Sequence, residues 1–291
     1  MPDARNKQLP FMFGNCVWNL GDTPRIMGIL NVTPDSFSDG GRYDTVQRAV
    51  DQALQMRRDG ADIIDIGGES TRPGAARVNA EEEMERVLPV IEQLAPQLDI
   101  PISIDTQKAS VARQALDHGA QIINDVSGFH QDPEMWRLMK ETDAGAVVMH
   151  MRGTPETMQQ FTHYDDLVGD LARYFENILE TADSNEISRE RFVVDPGIGF
   201  SKTVDQNLQL IADGGQFRER LDRPVLIGPS RKSFIGKLLG IDDPQERIWG
   251  TAGAVAAAVV NGADIIRVHD VAEMRQTAQI AAAIYQTNKR R

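Results

Sequence analysis

About eight short apolar runs in this 291-residue chain end on side chains that can bind or move charge. The residues at those ends are Asn31, Asp65 with Glu69, Asp105, Asn124, His150, Asp195, Ser230-Arg231-Lys232, and Arg267 with His269. Any one of them could be a helix cap, because Asp, Asn and Ser satisfy the free N–H groups where a helix begins. Polar residues at nearly every end describe instead a cup, with carboxylates and amides on one side and cations on the other. Such a cup suits a ligand with two unlike halves. Asp105, Asn124 and Asp195 complement a flat heterocycle rich in N–H donors, and Arg267, His269 and Arg72 offer charge-assisted donors to an oxyanion. Lys232 could hydrogen-bond a ring carbonyl, neutralise a phosphate or act as a Schiff-base nucleophile. The flanking Ser-Arg-Lys-Ser lacks the glycine frame of a P-loop.

A scaffold for these residues is written in a recurring phrase. Gly60-Ala-Asp-Ile-Ile-Asp, Gly119-Ala-Gln-Ile-Ile-Asn and Gly262-Ala-Asp-Ile-Ile-Arg share it, and Ala144-Gly-Ala-Val-Val-Met-His is a looser copy. Each puts a glycine just past a helix, where a left-handed backbone meets no Cβ, and then a β-branched run. The runs are apolar without alternation, as strands buried on both faces require. Strands are expected at Ile26–Leu30, Ile63–Ile66, Ile102–Ile104, Ile122–Asn124, Ala146–Met149, Phe192–Val194, Val225–Ile227 and Ile265–Val268.

Between them lie helical stripes. Val46, Ala49, Val50, Ala53 and Leu54 share one face behind a cap at Asp44 or Thr45. Met84, Val87, Leu88 and Ile91 form a second, with Asn79 and Glu82 as a variant capping box; Leu167, Leu171, Phe175 and Ile178 form a third. Strands alternating with helices in this way predict an α/β fold, the (β/α)8 TIM barrel, as one domain over 1–291. No cofactor-type G-x-G-x-x-G follows the first strand, which disfavours an open doubly wound sheet. Phe11, Phe13, Val17 and Trp18 are placed for an N-terminal hairpin closing the barrel floor. The segments after the first two strands are dense in Gly, Pro, Ser, Thr and Asp, longer than the ~2–6 residues of plain connectors, and read as working lids.

The composition narrows the function. Lys and Arg number 31 against 43 Asp and Glu, a formal net charge of −12, which repels nucleic-acid backbones. The single cysteine, Cys16, excludes an intramolecular disulfide and a thiolate zinc cluster. The longest apolar run, Ala252 to Val260, is far short of the ~20 residues of a membrane span. With a polar N-terminus, these features predict a cytoplasmic protein with neither a nucleic-acid nor a membrane partner.

The chain resembles the dihydropteroate synthases from Ile26 to its C-terminal helix. The resemblance rests on Gly28-Ile-Leu-Asn-Val-Thr-Pro-Asp-Ser-Phe-Ser-Asp-Gly-Gly and Asp65-Ile-Gly-Gly-Glu-Ser-Thr-Arg-Pro-Gly-Ala, which are highly specific. Ser103-Ile-Asp-Thr, Ile123-Asn-Asp, Met149-His-Met, Asp195-Pro-Gly-Ile-Gly-Phe, Ser230-Arg-Lys-Ser and Ile266-Arg-Val-His-Asp follow in the family's order. It implies a transferase joining 6-hydroxymethyl-7,8-dihydropterin pyrophosphate to 4-aminobenzoate with Mg²⁺, releasing 7,8-dihydropteroate and pyrophosphate. By position it assigns the pterin to Asp105, Asn124, Asp195 and Lys232, with Arg267 stacked on the ring and Met149 and Phe200 nearby. Asn31, Arg267 and His269 are assigned to pyrophosphate, Asn31 also to Mg²⁺. The arylamine falls to Phe37, Asp39, Thr71, Arg72, Pro73, Lys232 and Ser233.

In that reading Asp105, Lys232, Arg267 and His269 carry the catalysis. Cleavage of the methylene C–O bond leaves a cation that the pterin and nearby carboxylates stabilise, so the amine needs no strong base. The family further implies sulfonamide inhibitors and a homodimer. The Ala-rich helix Thr251–Val260 could be the dimer contact or could simply pack on the barrel. Gly128-Phe129-His130 receives no role. The alternatives are a pterin-dependent methyltransferase and a non-catalytic pterin-binding paralogue.

Overall fold

The computed structural model describes residues 7–21, 23–33, 42–70 and 77–289. The expected runs form eight parallel strands: β3 (Arg25–Asn31), β4 (Ile63–Gly67), β5 (Ile102–Asp105), β6 (Ile122–Asp125), β7 (Gly145–Met149), β8 (Phe192–Asp195), β9 (Leu226–Ile227) and β10 (Ile265–Val268). Their order is β8-β7-β6-β5-β4-β3-β10-β9, and a parallel bridge between Val194 and Val225 closes the ring. Gly60, Gly119 and Gly262 take the expected positive φ, 116° at Gly119, where a Cβ would lie 2.6 Å from that of Ala95, whereas Gly145 of the looser copy is already the first residue of β7. Only glycine lets the helix end and the next strand start that close together.

Ten helices are described, α1 (Arg42–Arg58), α2 (Ala80–Leu94), α3 (Ala109–Asp117), α4 (Glu134–Glu141), α5 (Leu167–Ser184), α6 (Val204–Ala212), α7 (Gly214–Leu221), α8 (Ser233–Leu239), α9 (Ile248–Val260) and α10 (Val271–Lys289). Two local expectations change. α1 is already helical at Arg42, so neither Asp44 nor Thr45 caps it. At α2, Asn79 accepts from the Glu82 N–H at 2.8 Å as expected, but the Glu82 carboxylate pairs with Arg86 one turn on.

Strand alternation divides the barrel in two. Ile26, Leu30, Ile64, Ile66, Ile104, Val148, Val194 and Ile266 point outward into the layer shared with the helices. Met27, Ile63, Ile122, Val147, Val193, Leu226 and Ile265 point inward and form an apolar floor. The hairpin of β1 (Leu9–Phe13) and β2 (Cys16–Leu20) plugs that floor with Phe11, Phe13 and Leu20, all buried. Burying side chains of this size stabilises the fold by ~1.5–3 kcal/mol each. Trp18 packs edge-on to Phe13 at 5.0 Å, whereas Val17 is 55% exposed and takes no part in the plug. The hairpin is pinned by buried Arg218, which donates to the Leu20 carbonyl at 3.1 Å and pairs with buried Asp264.

Candidate active site

Two residues beyond the floor, the same inward faces turn polar. Ile63 is followed by Asp65, Ile122 by Asn124, Val193 by Asp195 and Ile265 by Arg267. In β5 the inward pair is Ser103 and Asp105. Arg267 crosses the cup: Nε donates to Asp65 Oδ2 and Nη2 to Asp105 Oδ2, both at 2.6 Å. Asn124 Nδ2 donates to the same Asp65 oxygen at 3.0 Å, so one carboxylate gathers an amide and a guanidinium. The other Asp65 oxygen is buried without a hydrogen-bond partner among the described residues.

The cup sets unusual protonation. Burial pushes the Asp105 carboxyl up to about 7, against the pull of Arg267, and the Asp65 and Glu83 charges push it the same way. Burial also raises Asp195, whose Oδ1 accepts from the Gly197 N–H at 2.7 Å. Opposite stands Lys232, lowered to about 7 by burial, which donates to the Ile198 carbonyl at 2.7 Å. Its ammonium sits 4.0 Å from the Phe200 ring centroid. Phe200, Met149, Val126 and Met158 make the apolar wall of this side.

The oxyanion end lies at the neighbouring strand ends. Asn31 closes β3, half-buried. His269 is oriented by Ser230, whose Oγ lies 2.9 Å from Nδ1 and accepts from the His269 backbone N–H at 3.2 Å. Arg231, at φ 58°, turns away from the cup to pair with Asp270. Ser233 opens α8 and is exposed. Glu69 is bound by Lys108, which also reaches Glu83 at 2.5 Å. Phe37, Asp39, Thr71, Arg72 and Pro73 lie outside the described residues.

One expected member leaves the cup. His150 follows inward Met149, so it faces outward, its ring edge-on to Tyr174 at 4.8 Å and its Nδ1 3.2 Å from Lys202 Nζ. Burial and the adjacent Lys202 and Arg152 lower it to about 2, a permanently neutral imidazole. Asp65, not among the residues expected to meet the ligand, stands at the centre of the cup, where alternation from Ile63 puts it. Gly128-Phe129-His130 is a tight turn in which Phe129, at φ 67°, packs on Trp136 and Phe192.

The chain and its fold match those of known enzymes. The profile of the pterin binding enzymes matches residues 27–269. The chain is 48% identical to the dihydropteroate synthase of Synechocystis over 276 residues, 95% of each chain. It superposes on the Yersinia pestis dihydropteroate synthase in a sulfonamide drug complex with a TM-score of 0.88 at 40% identity, covering 96% of this chain and 100% of that one. Against the Xanthomonas albilineans dihydropteroate synthase with 4-aminobenzoic acid the TM-score is 0.86 at 42% identity, covering 94% and 98%.

Proposed function

This chain belongs to the dihydropteroate synthases of the pterin-binding enzyme family, and from that premise we propose how its cup carries out the condensation. The reaction joins 6-hydroxymethyl-7,8-dihydropterin pyrophosphate to 4-aminobenzoate and releases pyrophosphate. The observation that supports our reading most directly is Arg267 held between Asp65 and Asp105 beside Asn124. A pterin presents a row of ring and exocyclic N–H donors, and Asp105, Asn124 and Asp195 provide the matching acceptors and amide. Lys232 donates to the ring carbonyl in place of Ile198. Met149 and Phe200 cover one ring face. The in-plane bonds of Arg267 leave its flat face to stack on the other and its Nη1 group to meet the leaving oxyanion.

Departure of pyrophosphate leaves a methylene cation conjugated with the ring. The carboxylates of Asp105 and Asp195 stabilise that cation, and Arg267 and His269 the departing charge. The amine then attacks a cation reactive enough that no strong base is required. No group of three or more His, Cys, Asp or Glu among the described residues could hold a metal. The Asn31 amide oxygen at the end of β3 would be this chain's donor to an ion carried on the pyrophosphate. Mg²⁺ when bound would neutralise phosphate charge in the leaving group. Phe37, Asp39, Thr71, Arg72, Pro73, Lys232 and Ser233 are assigned the arylamine, and sulfonamides compete there.

We assign the assembly to a homodimer in the cytoplasm, formed through α9 and α10. Those helices pack on each other around a 700 Å³ apolar groove that includes Val260, Ile280 and Ile284, and Trp249 at the start of α9 is 84% exposed. The decisive experiment incubates the purified protein with the pterin pyrophosphate, Mg²⁺ and 4-aminobenzoate. Pyrophosphate release that needs all three is expected; release unaffected by the amine would refute the reading.

A further inference from the structure

Lys202 is 3% exposed, yet no carboxylate lies within hydrogen-bond distance of its ammonium among the described residues. Nζ donates to the Phe200 carbonyl at 2.9 Å and lies 3.2 Å from His150 Nδ1 and 3.5 Å from the His150 carbonyl. Because His150 is neutral, its Nδ1 is free to accept, which makes Nε2 the protonated nitrogen. Burial lowers Lys202 to about 7. A cation placed this deep with only dipoles for partners is costly, and such an arrangement persists where it fixes something.

What it fixes is the turn from Asp195 to Lys202. Three groups of the cup hang on that turn: the Asp195 carboxylate, the Ile198 carbonyl that receives Lys232, and the Phe200 ring facing Lys232. The turn closes on itself through Gly197 N–H to Asp195 Oδ1 at 2.7 Å and Phe200 N–H to the Gly197 carbonyl at 3.0 Å. Other elements brace it through Asn207 Oδ1, accepting from the Gly199 N–H at 2.5 Å, and Tyr164, donating to the Ser201 carbonyl at 3.1 Å. A Cβ on Gly199 would come within 2.8 Å of Lys232 Cδ, so the turn backbone lies directly against the lysine. Lys202 is the brace from within, tying the turn to the end of β7.

We propose that Lys202 is a positioning residue for the pterin half of the site, acting through the Phe200 carbonyl to set Phe200 and Lys232. The inference rests on the function proposed above. It involves no chemistry by Lys202 itself and no contact with the arylamine.

The test titrates 6-hydroxymethylpterin into wild type and Lys202→Met by calorimetry, with KM for each substrate and kcat measured alongside. Methionine keeps the length and apolar stem but has no donor. Pterin affinity is expected to fall roughly 10-fold, as for other residues that orient a binding group, with KM for the pterin pyrophosphate rising more than KM for 4-aminobenzoate, which Lys232 alone of the two displaced groups serves. Lys202→Gln, which retains donors on a shorter arm, should fall between the two proteins. Wild-type pterin affinity in folded Lys202→Met, or an equal rise in both KM values, would overturn the proposal. If Lys202→Met does not fold, wild-type affinity in Lys202→Gln overturns it. Absence of pterin binding by the wild type would instead refute the proposed function.

Discussion

The floor and the cup of this barrel are built by the same strands on the same inward face, two residues apart, with opposite chemistry. Below, Ile63, Ile122, Val193 and Ile265 meet the phenylalanines of the hairpin. Above, Asp65, Asn124, Asp195 and Arg267 stand in their places, and Asp65, Asn124 and Arg267 are joined directly by hydrogen bonds. Strand geometry gives both levels their direction and cannot tell them apart. The lower level stabilises the fold through burial, whereas the upper holds buried charges, one of them with an orphaned oxygen, that hydrophobic packing would have avoided. Stability and chemistry are therefore separable along each strand.

The largest effect that tests this separation is at the floor. Phe13→Ala empties a fully enclosed site and is expected to lower stability by about 3–5 kcal/mol in denaturant titrations. Assayed well below its melting point, the variant should keep kcat/KM within about twofold, less than 0.5 kcal/mol in barrier. A tenfold loss of activity there would couple the two levels. At the cup, Arg267→Lys keeps the charge but loses the planar fork spanning two carboxylates. Its kcat/KM should fall on the order of 100-fold, about 2.7 kcal/mol, with melting little changed. Normal turnover would remove the stacking role.

Asn124→Ala and Asp195→Ala are smaller steps. Each leaves a pterin donor or acceptor unpaired, and calorimetry should show a loss of ~1–3 kcal/mol in pterin affinity. Unchanged affinity in both would take them out of the pocket. The smallest effect concerns pH. Lys232 has a folded pKa of about 7, below its ordinary value, so the stability it contributes at high pH is lost as the pH falls from the lysine range through about 7. The melting temperature of Lys232→Met relative to wild type should accordingly rise as pH drops from about 10 to about 6. A pH-independent difference would mean that the ammonium is not held in a dry site.

Much of this was legible in the chain because it is local. A glycine followed by a β-branched run announces β4, β6 and β10, and the polar residue ending the run announces the cup. What depended on counting parity was read less well. His150 follows an inward residue and must face out, and Asp65 lies two beyond inward Ile63, yet neither inference is available until one strand's orientation is known. Pairings across the barrel were further out of reach: Arg267 and Asp65 are 202 residues apart, and no periodicity links them. Lys202 gave no signal because it follows a turn and not a strand, and its role lies in which carbonyls surround it. Val17 was misjudged since alternation in a two-stranded hairpin leaves one face to solvent.

The closure of the ring carries a mechanical consequence. β9 is two residues long, and the Val194–Val225 bridge joins it to β8, whereas β3 and β4 are matched over five positions. Amides flanking this seam should exchange with solvent sooner than those of β3 and β4, since few hydrogen bonds must part to expose them. Directly above the seam, Lys232 from the β9 side is fastened to Ile198 from the β8 side. The lysine thus adds a side-chain tie over the seam that the strands themselves hold most sparingly, so the residue that faces the cup also helps to keep the ring shut.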